Sequence, residues 1–178
     1  MHPDADRISV ASGLKVKYRG VFDLGDFYKK IKLWLESEGY GDENKNFKEV
    51  KYIEAIKPYG KNIDIKWLAE KNKSDYFSYY LTLSFRIIGL QDTEVQYENK
   101  KIRANKGEVE VKISADLIKN RQGKWSRYSI IKKIYDTLIV DRRIEEYKLD
   151  VYKTWRQNFL DRACFCSSFF VCFATSCL

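Results

Sequence analysis

Histidine and cysteine, which serve most nucleophilic and metal sites, are almost missing from this sequence. The one histidine is His2, and the first cysteine is Cys164 of 178 residues. Catalytic systems that pair serine or cysteine with a histidine base therefore lack that base. Glycine-rich phosphate loops and the zincin motif are absent as well. We expect a protein that is not an enzyme and that has no catalytic residue, no cofactor and no metal site.

Proline and glycine are also scarce, with two and nine residues, so no segment has the composition of a flexible linker. The length of 178 residues and the hydrophobic fraction of 44% suit one domain with a packed core. The lack of cysteine before the last fifteen residues is typical of a reducing compartment, so we expect a cytoplasmic protein. The polar opening has no apolar signal segment. We assign residues 1–13 to a disordered leader and residues 14–162 to a single domain.

Residues 163–178 form an uncharged tail that holds all four cysteines and is rich in phenylalanine. The spacing of Cys164 and Cys166 is a poor match to the cysteine pairs of structural zinc sites. The 16 residues of the tail fall short of the roughly 20 that span a bilayer. We interpret the tail first as a reading artefact, second as a buried or partner-bound extension, and third as a membrane anchor. We expect membrane contact only through this tail.

The chain is basic, with a net charge of +8 from 33 Lys and Arg against 25 Asp and Glu. A surplus of this size suits a protein that neutralises phosphates. However, the two signs alternate along most segments, as in residues 108–112, which is typical of a solvated mixed-charge surface. Nucleic-acid binding therefore stays an alternative.

The first part of the domain has a clear strand and helix pattern. Residues 14–22 alternate in the manner of a strand. Asp23 is a suitable N-cap, and Gly39 a suitable helix stop. Between them the apolar residues recur every three or four positions, which predicts an amphipathic helix of about four turns. The apolar stripe consists of Leu24, Phe27, Tyr28, Ile31, Trp34 and Leu35.

The middle of the chain has the alternation of strands joined by short loops, which favours an antiparallel sheet. Gly89 is expected to end the clearest strand. We expect the apolar row of that strand to be buried against the helix stripe. The row comprises Phe77, Tyr79, Leu81, Leu83, Phe85 and Ile87. The predicted strands are residues 46–57, 63–69, 77–87, a pair around the turn at 98–101, and 109–117.

Beyond the strands the pattern becomes helical. Ser126 is an N-cap candidate, followed by an apolar stripe of Ile130, Ile131, Ile134, Tyr135 and Leu138, which we expect to face inward. A second stripe has Ile144, Tyr147, Val151, Trp155 and Phe159. The predicted fold class is therefore a single α+β domain, in β-α-β5/6-α order. Its mainly antiparallel sheet is packed by an N-terminal helix and a long C-terminal helical region. That order is compatible with a helix-grip arrangement.

Three segments resemble a family of small uncharacterised proteins predicted from archaeal genomes. They are Val21-Phe22-Asp23-Leu24-Gly25-Asp26-Phe27-Tyr28 through Leu35, residues 63–71 with Asp75-Tyr76, and Ile144-Glu145-Glu146. The resemblance spans about residues 14–160. It implies an archaeal, cytoplasmic origin and a shared fold, and it implies no activity, cofactor or catalytic residue.

The binding residues that we select are aromatic or cationic. Tyr76 and Tyr80 lie on the polar row of their predicted strand, where bases can stack, and Arg86, Arg142 and Arg143 are cationic candidates. We predict a non-catalytic binding or assembly module, of an archaeon or an archaeal virus, that contacts an unknown protein or a second copy of itself. The alternatives are a helix-grip domain that binds an apolar ligand and a basic nucleic-acid-binding domain.

Overall fold

The structure, a computed structural model, describes residues 6–40, 48–97, 100–120, 130, 133–134 and 141–155. Its elements in chain order are β1 (Asp6–Phe22), α1 (Leu24–Ser37), β2 (Lys48–Lys57), β3 (Gly60–Asn72), β4 (Phe77–Tyr97), β5 (Lys100–Lys119) and α2 (Asp141–Trp155).

The five strands form one sheet in the order β1-β5-β4-β3-β2, and every neighbouring pair is antiparallel. The chain therefore leaves β1 at one edge, passes through α1 and re-enters at β2 on the opposite edge. We call the face with the buried apolar row the inner face, and the opposite face the outer face. The antiparallel sheet is confirmed.

Helix α1 begins and ends where the sequence predicts. The Asp23 carboxylate accepts a hydrogen bond from the backbone N–H of Asp26 at 2.9 Å, which satisfies one of the free donors of the first turn. The chain leaves the helix through Gly39, whose φ of 77° lies in the left-handed region. Ile31 and Leu35 are buried against the sheet. The helix therefore contributes one apolar stripe to the core, as predicted.

The inner face of the sheet carries the core, because alternate residues of a strand point to the same side. All six apolar residues of the Phe77–Ile87 row are buried, and they belong to one cluster with the helix stripe. The rings of Phe27 and Phe85 meet edge to face at 6.3 Å. The predicted contact between this row and α1 is confirmed.

The number and length of the strands differ from the prediction. Strand β4 does not end at Gly89 but continues to Tyr97, and its partner β5 runs back through Gly107. Gly89 has a φ of 64°, and the pairing register shifts between Ile88 and Gln91. The glycine thus forms a β-bulge, which bends a strand without ending it. Two long strands replace four predicted short ones, so four strands follow α1 instead of five or six.

The predicted long C-terminal helical region is wrong. Helix α2 has only 15 residues, and of the stretch between β5 and α2 the structure describes, beyond Asn120, only residues 130, 133 and 134, which are helical. Ile130 and Ile134 are 75% and 55% exposed, although the pattern predicted them inward. A helical period shows that apolar residues share one side of a helix, but it does not show what covers that side. The helical elements of the described part of the chain have only 14 and 15 residues, so the helix-grip interpretation loses its long helix. Several predicted positions lie outside the described residues, namely Ser126, Ile131, Tyr135, Leu138, Phe159 and the tail 163–178.

The other end of the chain also joins the sheet earlier than expected. Strand β1 begins at Asp6 and pairs with β5 from the first residue, Asp6 opposite Lys119. Residues 6–13 are therefore part of the sheet and not of a disordered leader. Residues 1–5 lie outside the described part of the chain.

Among the described side chains of helix α2, Ile144, Tyr147 and Asp150 contact the inner face. Ile144 joins the core cluster, and the ring of Tyr147 contacts that of Phe77 edge to face at 5.0 Å. The Tyr79 hydroxyl donates to the Asp150 carboxylate at 3.3 Å, and burial together with this carboxylate raises the pKa of Tyr79. The predicted inward position of Ile144 is confirmed.

Candidate binding surfaces

The two predicted tyrosines do not form a stacking platform. Tyr76 is 2% exposed, and its ring lies edge to face against Phe77 at 5.0 Å. Tyr80 lies half-buried on the outer face, where the Arg7 guanidinium is 5.1 Å from the centre of its ring. Arg7 also forms an ion pair with Asp116, the residue opposite Tyr80 on β5. Tyr76 thus belongs to the interior, and Tyr80 stacks on an arginine of the protein itself.

Two of the three predicted arginines have described side chains, and these two lie apart. Arg86 is exposed on the outer face and forms an ion pair with Asp64 of β3 at 3.4 Å. Arg143 is exposed on α2, which packs on the inner face. Arg142 belongs to α2, and its side chain lies outside the described residues. The four predicted residues with described side chains therefore do not make one site.

A polar contact connects edge strand β2 to helix α1. The Glu49 carboxylate accepts hydrogen bonds from the Tyr28 hydroxyl at 2.8 Å and from the Trp67 indole N–H at 2.9 Å. The two aromatic rings meet edge to face at 4.7 Å. Partial burial and the hydrogen bond to Glu49 raise the pKa of Tyr28 to about 12. The phenol therefore stays a donor at neutral pH, and Glu49 fixes the start of β2.

Replacing Glu49 by alanine should lower the free energy of unfolding by about 1–2 kcal/mol, because two donors lose a charged acceptor. Glu49→Gln is the matched control, since it keeps a carbonyl oxygen within reach of the Trp67 N–H and should cost less. Urea unfolding of the three proteins measures the difference. Equal midpoints for Glu49→Ala and the wild type would contradict this role.

Within the described part of the chain β2 has a neighbouring strand only on its β3 side, and it exposes large apolar side chains at this free edge. The strand has ten residues, and only Ala55 is half-buried while the others are exposed. Val50, Tyr52 and Ile53 are about half exposed, and Ile56 is 80% exposed. We call these four residues with the free edge of their strand the β2 edge. A long edge strand with exposed apolar residues is a surface on which another strand can add.

The opposite edge, β1, has features that oppose strand addition. Its pairing register shifts twice, around Ala11, and Gly13 has a φ of 69°. Its charged residues include Lys15 and Lys17, which form ion pairs with Glu110 and Glu108 of β5. Bulges and charges are the usual protections of an edge strand. The β2 edge has one register shift, between Glu49 and Lys51.

The outer face contains a line of lysines across the sheet. Residues in register lie side by side on neighbouring strands. Lys15 of β1 pairs with Lys112 of β5, and Lys112 pairs with Ser84 of β4. Ser84 pairs with Lys66 of β3, and Lys66 with Lys51 of β2. We call these four lysines the lysine row. The sequence alone does not reveal the lysine row. Each lysine stands at a polar position of a strand, but only the pairing register places the four side by side.

The layer between α1 and the sheet contains aromatic side chains in contact. The Trp67 ring lies 4.8 Å from that of Phe85, and Phe27 and Tyr28 of α1 contact these two residues. This contact describes a layer filled by the protein itself. An apolar ligand under the helices stays a prediction.

Within the ranges that the structure describes, no group of three or more His, Cys, Asp or Glu residues has the geometry to hold a metal. None of the helices in those ranges is both long and apolar enough to cross a membrane. The four cysteines and His2 are outside these ranges.

Comparison with known proteins gives no relative. No family model matches the chain, and neither a curated protein nor a solved structure matches it. The resemblance to archaeal proteins over residues 14–160 therefore stays a prediction, and the function has to be argued from the surfaces.

Proposed function

We propose that this protein is a non-catalytic assembly module that associates with a second copy of itself through the β2 edge. The observation that carries the proposal is the exposed apolar edge strand. A strand at the end of a sheet offers unpaired N–H and C=O groups, and another strand can pair with them. The contrast with β1, which has two register shifts and ion-paired lysines, supports the choice of edge.

The spacing of the apolar residues supports a second copy as the partner. Val50 and Ile56 lie three positions on either side of Ile53. In an antiparallel pair centred on Ile53, a twofold axis places Val50 of one copy opposite Ile56 of the other. Such an isologous contact uses the same patch on both copies, so the apolar residues cover one another. The two sheets then join into one.

The setting that we propose is the cytoplasm of an archaeon or an archaeal virus. It is supported by the sequence resemblance and by the cysteine-free sequence of residues 1–163.

The oligomeric state tests this proposal. We expect the wild type to be dimeric at micromolar concentration in sedimentation velocity, and Ile53→Lys to be monomeric, because like charges directly opposite repel across a strand pair. Leu33→Lys on α1 is the matched control, since Leu33 is 62% exposed and belongs to the helix and not to the edge strand. The control should stay dimeric.

Mixing two variants makes the test specific for the twofold contact at Ile53. Ile53→Lys and Ile53→Glu should each be monomeric, and their mixture should form a heterodimer because opposite charges then face each other. A monomeric wild type, or a dimer that Ile53→Lys leaves intact, would overturn the proposal. A mixture that stays monomeric would place the axis elsewhere and contradict the proposed pairing.

A further inference from the structure

The lysine row is a line of positive charge across the whole sheet. Its ends, Lys15 on β1 and Lys51 on β2, belong to the two edge strands. Neighbouring strands lie about 4.8 Å apart, so the four steps of the row measure about 19 Å. A row of this length and direction runs perpendicular to the strands and matches a linear anion better than a compact one.

Three lysines of the row are not neutralised. Lys51, Lys66 and Lys112 are exposed, and no carboxylate in the described part of the chain forms an ion pair with them. Only Lys15 is paired, with Glu110 at 2.9 Å. In the next row along the strands the cations are paired instead, as in the contact of Arg86 with Asp64. The uncompensated charge is therefore concentrated in the lysine row.

Small hydroxyl side chains lie among the lysines. Ser84 occupies the β4 position of the row, and Thr82 pairs with Ser114 in the row beside it. Hydroxyls and lysines are the side chains that commonly bond to phosphate oxygens. Beside them, the Cε atom of Lys112 is 3.0 Å from the position that a β-carbon on Gly13 would occupy. The lack of a side chain at Gly13 thus leaves room for the stem of Lys112.

We propose that the lysine row binds the phosphate backbone of a single-stranded nucleic acid. The described helices pack on the inner face, so the described part of the outer face has no helix to enter a groove of duplex DNA, whereas a single strand can lie along it. Contacts to phosphates carry no sequence information, and Tyr80 already stacks against Arg7. The binding is therefore independent of sequence and dominated by charge.

The carboxylates beside the row favour a strand over an anionic membrane. Glu110 and Asp64 lie two positions along β5 and β3 from lysines of the row, which is about 7 Å. Asp116 and Glu70 flank the row on the other side, four positions away or about 14 Å. A wide anionic surface would also rest on these flanking rows, where Asp64 and Asp116 already pair with arginines and little free positive charge remains, whereas one phosphodiester strand needs only the lysine row.

Fluorescence anisotropy with a labelled oligothymidylate of about 12 nucleotides tests the proposal. The variant Lys66→Gln/Lys112→Gln removes two charges from central strands and leaves the β2 edge unchanged. The matched control, Lys29→Gln/Lys32→Gln, removes two exposed charges from α1, beside the inner face. Equal melting temperatures of the three proteins show that all are folded.

The expected result is a salt-dependent affinity that the row variant loses. Each phosphate contact contributes about −0.7 to the slope of log K against log salt, so three lysines give a slope near −2 and an affinity loss of about 20-fold between 50 and 200 mM salt. The slope of the row variant should be shallower by about 1.4, because two of the three contacts are lost, and the slope of the control should equal that of the wild type. Duplex DNA should bind more weakly than the single strand.

Three results would overturn the proposal. They are no binding of the oligonucleotide at low salt, equal binding by the row variant and the wild type, and an equal loss in the α1 control. Vesicles of phosphatidylserine provide the last arm. The wild type could sediment with these vesicles, lose this binding in Lys66→Gln/Lys112→Gln, and release the oligonucleotide when vesicles are added. That combination would assign the row to a membrane surface and contradict the proposal.

Discussion

Truncating Leu83 to alanine should lower the free energy of unfolding by about 2–5 kcal/mol, the usual cost of a cavity at a fully buried leucine. Leu83 is 0% exposed and belongs to β4, the central strand of the sheet. Its neighbours in register are Trp67 on β3 and Ile113 on β5, both buried on the same face. The surrounding strands are paired on both sides, so the site cannot collapse around the lost methyl groups.

Leu33→Ala is the control for this loss, because it removes the same atoms from a side chain that is 62% exposed on α1. Its free energy of unfolding, measured in urea, should stay within about 0.5 kcal/mol of the wild type. If Leu83→Ala costs no more than Leu33→Ala, the inner face has been assigned to the wrong side of β4, since a shift of one residue exchanges the two faces.

The parts of the fold that the sequence predicts correctly are those with a long, regular period. Helix α1 has a capping aspartate, a stripe and a terminal glycine, and each of these acts within a few residues. The Phe77–Ile87 row alternates without interruption over eleven positions. Local sequence is enough for such elements, because their burial follows from their own pattern.

The prediction fails where one residue type serves two structural purposes. Glycine ends the helix at Gly39 but only bends the strand at Gly89. The choice depends on whether a partner strand continues beside it, as β5 does at Gly107, and this is tertiary information. The C-terminal stripe fails for a similar reason, since exposure of Ile130 and Ile134 depends on what else covers the sheet.

Neither candidate surface is visible without the strand order. The β2 edge exists because β2 is the last strand of the sheet, and its sequence alone does not show which neighbour is missing. The lysines at 15, 51, 66 and 112 lie far apart in a chain where both charge signs alternate. Their common feature, a polar position on a predicted strand, selects many other residues too. Register, which long-range pairing sets, selects these four.

A second large loss of stability is expected for Gly60→Ala, at the turn that joins β2 to β3. The φ of Gly60 is 126°, a conformation that side chains other than glycine rarely adopt. A β-carbon at this position would lie 2.8 Å from the carbonyl carbon of Gly89 and from the carbonyl oxygen of Leu90. These are backbone atoms of β4 and cannot rotate away. We expect a loss of at least about 1–3 kcal/mol from the backbone conformation, with the steric contact adding to it.

The same change at Gly25 should act in the opposite direction. Gly25 lies in the first turn of α1, and the nearest atom to its added β-carbon is the Asp23 Oδ1 at 3.4 Å, an ordinary contact. Alanine loses less backbone entropy than glycine when a helix forms, so Gly25→Ala should raise the free energy of unfolding by about 0.5–1 kcal/mol. Thermal and urea unfolding of the two variants shows whether each change raises or lowers the free energy of unfolding. Both variants add the same methyl group, so a loss of stability at Gly60 and a gain at Gly25 would assign the loss to the backbone of the turn. A Gly60→Ala protein as stable as the wild type would show that the β2–β3 turn does not pack against the Gly89 bulge.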